Sequence, residues 1–194
     1  MNASRETAGL VSLVPEWRPG DGSAPAVPSL GVMPAPDAVR IRRATRADLP
    51  ALGRLGAHLM RVHYEFDRRR FVEPTGNPEA GYAHFLGTQI DAGDATVLVA
   101  EGGGAVVGYV YAGIEPFSWK ELRDAAGFVH DIVVDESERR TGVAAALMAA
   151  AIAWVREQGV ASVMLWTAAP NDGAQRLFER LGFRRTMIEM TRDL

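Results

Sequence analysis

The chain has 194 residues, enough for one well-buried core and too few for two ordinary domains joined by a linker. Its 47% hydrophobic and 23% charged residues are those of a folded globular protein and argue against a wholly disordered, collagen-like or membrane-embedded chain. With 21 basic side chains against 24 acidic ones the net charge is −3, so no basic excess points to nucleic acid or an anionic membrane as partner, and the lack of cysteine removes disulfides, thiolate nucleophiles and Cys-ligated zinc.

Between Met1 and Asp37 the prolines crowd (Pro15, Pro19, Pro25, Pro28, Pro34 and Pro36) among Gly, Ser and Ala with no sustained period. That composition predicts a flexible arm over residues 1–37 ahead of one folded domain over 38–194. Ala8 to Val14 is apolar but is closed by Pro15 and Glu16 and lacks the charged start and cleavage site of a secretory signal, so a cytoplasmic location is expected. Val39-Arg40-Ile41-Arg42-Arg43-Ala44 alternates like a half-buried strand, and Thr45-Arg46-Ala47-Asp48 has the form of a capped helix start. Leu49, Leu52, Leu55, Leu59 and Val62 carry the apolar stripe of that helix, and a second helix is predicted from Pro78 with Tyr82, Phe85, Leu86 and Ile90 turned inward. Thr96 to Ala100 and Ala105 to Ile114 are β-rich runs joined through Glu101-Gly102-Gly103-Gly104, a strong hairpin signal. Phe128 to Val134 is a further strand, Ser162 to Thr167 another, and Arg184 to Thr191 a last one. The alanine-rich run from Val143 to Val155 is well short of the roughly 20 residues that cross a bilayer and is predicted as a buried helix, ending at Gln158 before Gly159. Asp172 to Leu181 is the last helix, capped by Asn171 and stopped by Gly182. The order β-α-α-β-β-β-α-β-α-β predicts an α/β fold with a mixed sheet and helices on both of its faces.

The segment richest in chemistry is Val134-Asp135-Glu136-Ser137-Glu138-Arg139-Arg140-Thr141-Gly142-Val143-Ala144, where a strand ends in a short polar turn and a helix starts at a glycine followed by small residues. The first amides of a helix are unpaired and carry about half a positive charge, so a diphosphate can sit against them where no bulky side chain blocks the approach. Gly142 and Ala144 meet that condition. On these residues alone an ordinary strand-to-helix turn with solvated arginines is the plainer reading.

Arg139, Gly142 and Ala144 fill the pattern [Q/R]-x-x-G-x-[G/A] after an apolar strand, and Asn171-Asp172-Gly173-Ala174-Gln175-Arg176-Leu177-Phe178-Glu179-Arg180-Leu181-Gly182-Phe183 follows N-x-x-A-x-x-L-[Y/F]-x-x-x-G-F. With these two signatures the chain resembles the GNAT superfamily of acyl-CoA-dependent N-acyltransferases from about Val39 to Leu194. The resemblance implies a mostly antiparallel sheet of six or seven strands and acetyl-CoA as the acyl donor. It also implies that Arg139, Arg140, Thr141, Gly142, Val143, Ala144 and Ala145 cradle the cofactor's pyrophosphate. By the same matching, the backbone of Ile132, Val133 and Val134 would pair with the pantetheine arm, and Asn171 and Phe178 would line it. Dimerisation is a habit of the family, so a homodimer is the matching expectation.

Many members carry a tyrosine where this chain has Phe178, and that hydroxyl reprotonates the departing thiolate. Phe178 has no proton to give. Tyr109 and Tyr111 are the other hydroxyl candidates, or a thiol of pKa about 8.5 leaves unaided; as a side chain Phe178 also reads as a core aromatic of an amphipathic helix. For the general base, related acetyltransferases of small amines place a Glu or His at the position of His130, and His130-Asp131 resembles the Glu-Asp pair of diamine acetyltransferases. An imidazole of pKa near 6.5 is mostly neutral at pH 7 and can accept the proton. A core histidine bonded to a neighbour's backbone is the open alternative. Period-two alternation puts His130 with Phe128, Ile132 and Val134, and Asp131 with Val129 and Val133 on the opposite face; Asp131 either binds a substrate cation or bonds a neighbouring loop. His58, His63 and His84 show no metal-ligand spacing, so no metal is expected. Glu65, Asp67 and Glu73 fall where the family builds its substrate rim, as either amine-attracting groups or a solvated loop, and Phe117-Ser118-Trp119 either walls the acceptor pocket or packs its own loop. The expected activity is acetyl transfer from acetyl-CoA to a primary amine of a small molecule. The alternatives are an acyl-CoA-binding sensor or interaction module with little turnover, and a protein N-terminal acetyltransferase.

Overall fold

In the computed structural model, which describes residues 39–194, the alternating stretch after Asp37 forms β1 (Val39–Arg43), antiparallel to β2 (Ala95–Gly102). The expected arm over 1–37 lies outside the described residues. β2 turns into β3 (Ala105–Glu115) through Gly103 and Gly104, whose φ angles of 57° and 79° meet the demand of a two-residue hairpin turn for positive φ at both positions. β4 (Ala126–Val134) runs antiparallel to β3, and the short β5 (Val163–Leu165) pairs parallel to β4, giving the order β1-β2-β3-β4-β5.

Helices α1 (Leu49–Phe66) and α2 (Pro78–Ile90) cover one face, where Leu52, Leu55 and Leu86 pack on Val97, Val99, Tyr109, Tyr111 and Val133. Helix α3 (Val143–Glu157) covers the other, where Leu147, Met148 and Ala151 meet Leu98, Ala100, Val110, Ala112 and Val129 together with Phe178 of α4 (Asp172–Arg180). Strand side chains alternate between these two cores, as the pleat requires. Two glycines on α1 let α2 approach closely: a Cβ on Gly53 would lie 2.4 Å from the Glu79 carbonyl oxygen, and one on Gly56 would lie 2.0 Å from the Tyr82 ring. The joint between β1 and α1 is tied by Asp48, whose carboxylate accepts two hydrogen bonds of 2.8 Å from Arg42 and one of 2.7 Å from the Thr45 amide.

The structure departs from the sequence expectation in two places. Among the described residues the sheet has five strands, not six or seven: residues 184–191 adopt no regular structure, and Met187, Ile188 and Met190 are exposed. The β-rich composition there finds no ladder partner, and side-chain propensity without one does not make a strand. Instead the segment is tied to its surroundings by ion pairs of Arg185 with Glu179, Arg70 with Glu189 and Arg69 with Asp193. The second departure is in β4, where Tyr111 pairs with Asp131 but Ala112 pairs with Val129, leaving His130 as the extra residue of a β-bulge. The bulge breaks the period of two, so His130 and Asp131 share the face of α1 and α2 rather than pointing to opposite sides.

Candidate active site

A cleft opens where β5 ends. β5 pairs with β4 only as far as Leu165 opposite Val129, and beyond that point β4 has no strand neighbour on that edge among the described residues. The bulge also sets which backbone groups face the gap. The Gly127 amide reaches Ser162 beside β5, whereas the Asp135 amide reaches Val107 of β3, so past the bulge it is Ile132 and Val134 that turn their amides and carbonyls into the open edge. Val133 instead pairs with Tyr109 and buries its side chain under α1, which takes it out of the expected cofactor-facing set. The cleft is lined by Leu59 and His63 of α1, by Val129, His130, Asp131 and Ile132 of β4, by Leu165, Trp166 and Thr167, and by Asn171, Ala174 and Phe178 of the α4 region. It therefore crosses the sheet, reaching α1 on one face and α4 on the other.

Asp131 is held from the α1–α2 side. Its Oδ2 accepts hydrogen bonds from Tyr82 Oη at 3.1 Å and Tyr109 Oη at 3.0 Å, a contact that depends on the close approach of α2 at Gly56. Burial pushes the carboxyl pKa up, and the two hydroxyls partly counter it. Burial and the adjacent carboxylate push both tyrosines upward as well. Tyr109 is thus committed to Asp131, while Tyr111 donates to Gln89 Oε1 at 2.9 Å, so neither hydroxyl considered as a thiolate donor is free.

His130 lies in an aromatic slot, stacked on Tyr111 at 4.7 Å and on Phe128 at 5.0 Å, with its side chain 29% exposed. Desolvation pushes the imidazole pKa below its ordinary value, and the Glu115 and Asp131 carboxylates oppose that shift. A pKa held below the ordinary value favours the neutral ring at pH 7, and its partial exposure opens it to solvent, as a proton acceptor needs. The aromatic row continues outward through Phe128 to Trp166, which is 70% exposed.

At the far end of the open edge, the turn carrying Arg139, Arg140, Thr141 and Gly142 is exposed and leads into α3. Gly142 sits at φ 95°, an N-cap with no side chain bonded over the helix start, and the first α3 bond closes from the Ala146 amide to Gly142. The amides of Val143, Ala144 and Ala145 are thereby left for an outside acceptor, and the glycine leaves the approach open; these groups suit a diphosphate. Arg140 also takes a positive φ, 67°, and Thr141 donates to the Glu138 carbonyl. Arg139 contacts His58 of α1 at 3.2 Å, while Arg54 clamps Asp135 with hydrogen bonds of 2.8 and 3.0 Å. Asn171 caps α4 by accepting from the Ala174 amide, and Phe178 is buried at 6% exposure.

His58, His63, Trp166 and Glu115 were missed as site residues in the sequence. The i, i+4 spacing of Arg54 and His58 was the available signal that one side of α1 faces the turn ahead of α3. Asp67, left open between attracting an amine and belonging to a solvated loop, accepts from the amides of Arg69 and Arg70 and so shapes its own turn. Phe117 and Trp119 stack edge to face on the β3–β4 loop and are 50% and 81% exposed.

Residues 60–183 match the family model described as the acetyltransferase (GNAT) family. The chain belongs to this family. A mycothiol acetyltransferase of Thermobispora bispora is 35% identical to this GNAT chain over 103 residues, covering 50% of the chain and 32% of the relative; the chain thus spans about a third of that protein's length. A Bacillus halodurans protein of known structure, 23% identical, covers 80% of the chain and 99% of its own with a TM-score of 0.69, which establishes the shared fold. A Clostridium acetobutylicum protein described as a predicted acetyltransferase and solved with acetyl-CoA, 12% identical, covers 79% of the chain and 96% of its own with a TM-score of 0.61. No helix of the GNAT domain described here is long and apolar enough to cross a membrane.

Proposed function

We propose that this GNAT-family protein moves an acetyl group from acetyl-CoA directly onto a primary amine of a small molecule, with no covalent enzyme intermediate. The observation that carries the reading is His130, a neutral, partly exposed imidazole at the point where β4 loses β5, on the same open edge that leads to the uncapped start of α3. The donor complex of the Clostridium acetobutylicum neighbour and the name of the Thermobispora bispora relative agree with it.

The amides of Val143, Ala144 and Ala145, with Arg139, would hold the pyrophosphate, and the free amides and carbonyls of Ile132 and Val134 would pair with the pantetheine arm. Bound acetyl-CoA supplies an activated thioester carbon and a thiol leaving group of pKa about 8.5. A primary amine of pKa about 10.4 needs roughly 4–5 kcal/mol to lose its proton at pH 7, and His130 lowers that demand by taking the proton as the C–N bond forms and the C–S bond breaks. Asp131 Oδ2 is occupied by two hydroxyls, which leaves Oδ1 to draw the acceptor cation toward His130. Phe178 and the committed hydroxyls of Tyr109 and Tyr111 offer the thiolate no proton, so it leaves unassisted and is protonated by solvent.

That missing donor is also what favours the second reading, an acyl-CoA-binding module without turnover. Thiol release from acetyl-CoA across a panel of small amines, with mass detection of the acetylated product, separates the two. In that assay His130→Ala is expected to lower kcat by about a hundredfold to ten-thousandfold while acetyl-CoA affinity stays near wild type. A variant that keeps wild-type turnover would remove His130 from the chemistry.

A further inference from the structure

Glu115 is the last residue of β3, on the same face as Tyr111 and Gly113. The His130 ring lies against this row: it stacks on Tyr111, and a Cβ built on Gly113 would be 3.4 Å from His130 Nε2. The same Nε2 is 3.8 Å from Glu115 Oε1. The other carboxylate oxygen, Oε2, accepts from Arg123 Nη2 at 2.6 Å. Arg123 is 11% exposed at its side chain and organises the whole β3–β4 loop. It donates to Glu121 at 2.5 Å and to the Pro116 and Asp124 carbonyls at 3.0 and 3.2 Å, and its backbone pairs with Ser118 in both directions. A loop arginine that is nearly buried and saturated with acceptors thus holds one oxygen of Glu115 and leaves the other aimed at the imidazole.

We infer that Glu115, fixed by Arg123, is a positioning residue for His130: its free oxygen anchors Nε2 of the ring inside the aromatic slot. This rests on the reading of His130 as the base. The 3.8 Å gap is one that tightens as the ring gains positive charge during proton transfer, when attraction to the carboxylate is greatest. Among the described residues, the groups that bear on the ring directly are Glu115 and Tyr111 of β3 and Asp131 of β4; Arg123 touches Glu115 and Glu121 touches Arg123 without reaching the ring, Tyr82 and Tyr109 bond Asp131, and His63 of α1 lines the same cleft. Tyr111 is neutral and committed to Gln89, and among the described residues Glu115 is the carboxylate that comes within 4 Å of Nε2.

The experiment follows the His130 ring signal by NMR through a pH titration of the full chain, alongside the pH dependence of kcat/KM. Glu115→Gln keeps the shape and removes the charge. The ring midpoint is expected to move to lower pH, the acid limb of kcat/KM to move with it, and kcat to fall while the acceptor KM stays near wild type. Glu115→Asp restores part of the shift. Glu121→Gln, which removes a charge from the same loop without facing the ring, leaves the midpoint near that of wild type. A folded Glu115→Gln protein with an unmoved midpoint, or a Glu121→Gln shift of equal size, overturns the proposal, as does a rise in acceptor KM with the midpoint unchanged. The ring titration reads the Glu115 contact whether or not His130 is the base, and His130→Ala turnover reads the base alone, so the two failures are distinct.

Discussion

Thr96 lies on β2 in line with Leu98 and Ala100, facing α3, and its buried hydroxyl has no hydrogen-bond partner among the described residues. Leaving such a group unpaired costs about 1–3 kcal/mol. Thr96→Val, nearly the same shape, is expected to raise stability by about 1 kcal/mol, seen as a higher urea midpoint at unchanged slope. Burial acts on His130 by a different route, displacing a titration rather than stranding a donor. Its imidazole is held below the ordinary value near 6.5, so activity is lost as pH falls through a midpoint lower than that of free imidazole, because the base is then protonated. The acid limb of kcat/KM measures it, and a limb at or above the free-imidazole value contradicts the desolvated slot. His130 could be singled out from the chain alone, as a polar residue in an apolar strand. Its partners could not: Glu115 and Tyr111 come to it through β3–β4 register, which local sequence does not encode.

Each strand and helix core was legible where the period of the element held, and obscure where tertiary pairing overrode it. The Gly103–Gly104 turn, the α3 start and the Asn171 cap were readable because each rests on a backbone demand that few residues satisfy. The bulge at His130 was not, because β4 carries apolar residues on both faces, Phe128 and Val133 on one and Val129 and Ile132 on the other, so an inserted residue breaks no visible alternation. At the joint of β1 and α1, Arg42 and Thr45 hold the Asp48 carboxyl down at about 2. A carboxylate with a depressed pKa stabilises the fold above its unfolded value near 3.9, and that contribution fades as pH falls from there toward the folded value. Asp48→Asn is therefore expected to cost about 2 kcal/mol at pH 7, and the gap to wild type should close below about pH 2; urea titrations at both pH values check this. At the start of α3, Gly142→Asp places a carboxylate where a diphosphate would sit and an L side chain at positive φ. It should lose about 1–2 kcal/mol of intrinsic stability together with the rise in melting temperature that acetyl-CoA gives wild type. A folded variant that keeps the full ligand-induced rise removes the pyrophosphate from this turn.

On the scale of the whole molecule, the two cores on opposite faces of one sheet leave the splay between β4 and β5 as the passage joining them, and the candidate site occupies it. The order of strands and helices along the chain and the placing of helices on both faces of the sheet followed from the alternation, whereas the strand expected over 184–191 failed because composition cannot supply a ladder partner. The groups proposed for donor binding and proton transfer lie between Glu115 and Phe178, and among the described residues both cores are built by side chains from Val39 to Phe183. The first 37 residues are rich in Pro, Gly and Ala and poor in large apolar side chains, a composition with little surface to offset the entropy of ordering. A chain beginning at Asp37 is therefore expected to match the full-length protein in melting temperature, in acetyl-CoA affinity and in kcat on whichever amine the panel selects. Thermal melts of the two proteins with and without acetyl-CoA test the folding part, and turnover tests the rest. Loss of turnover with an unchanged melt and unchanged donor affinity would place part of residues 1–37 against the acceptor, since the donor groups and the base would then be intact and only the amine's seat incomplete.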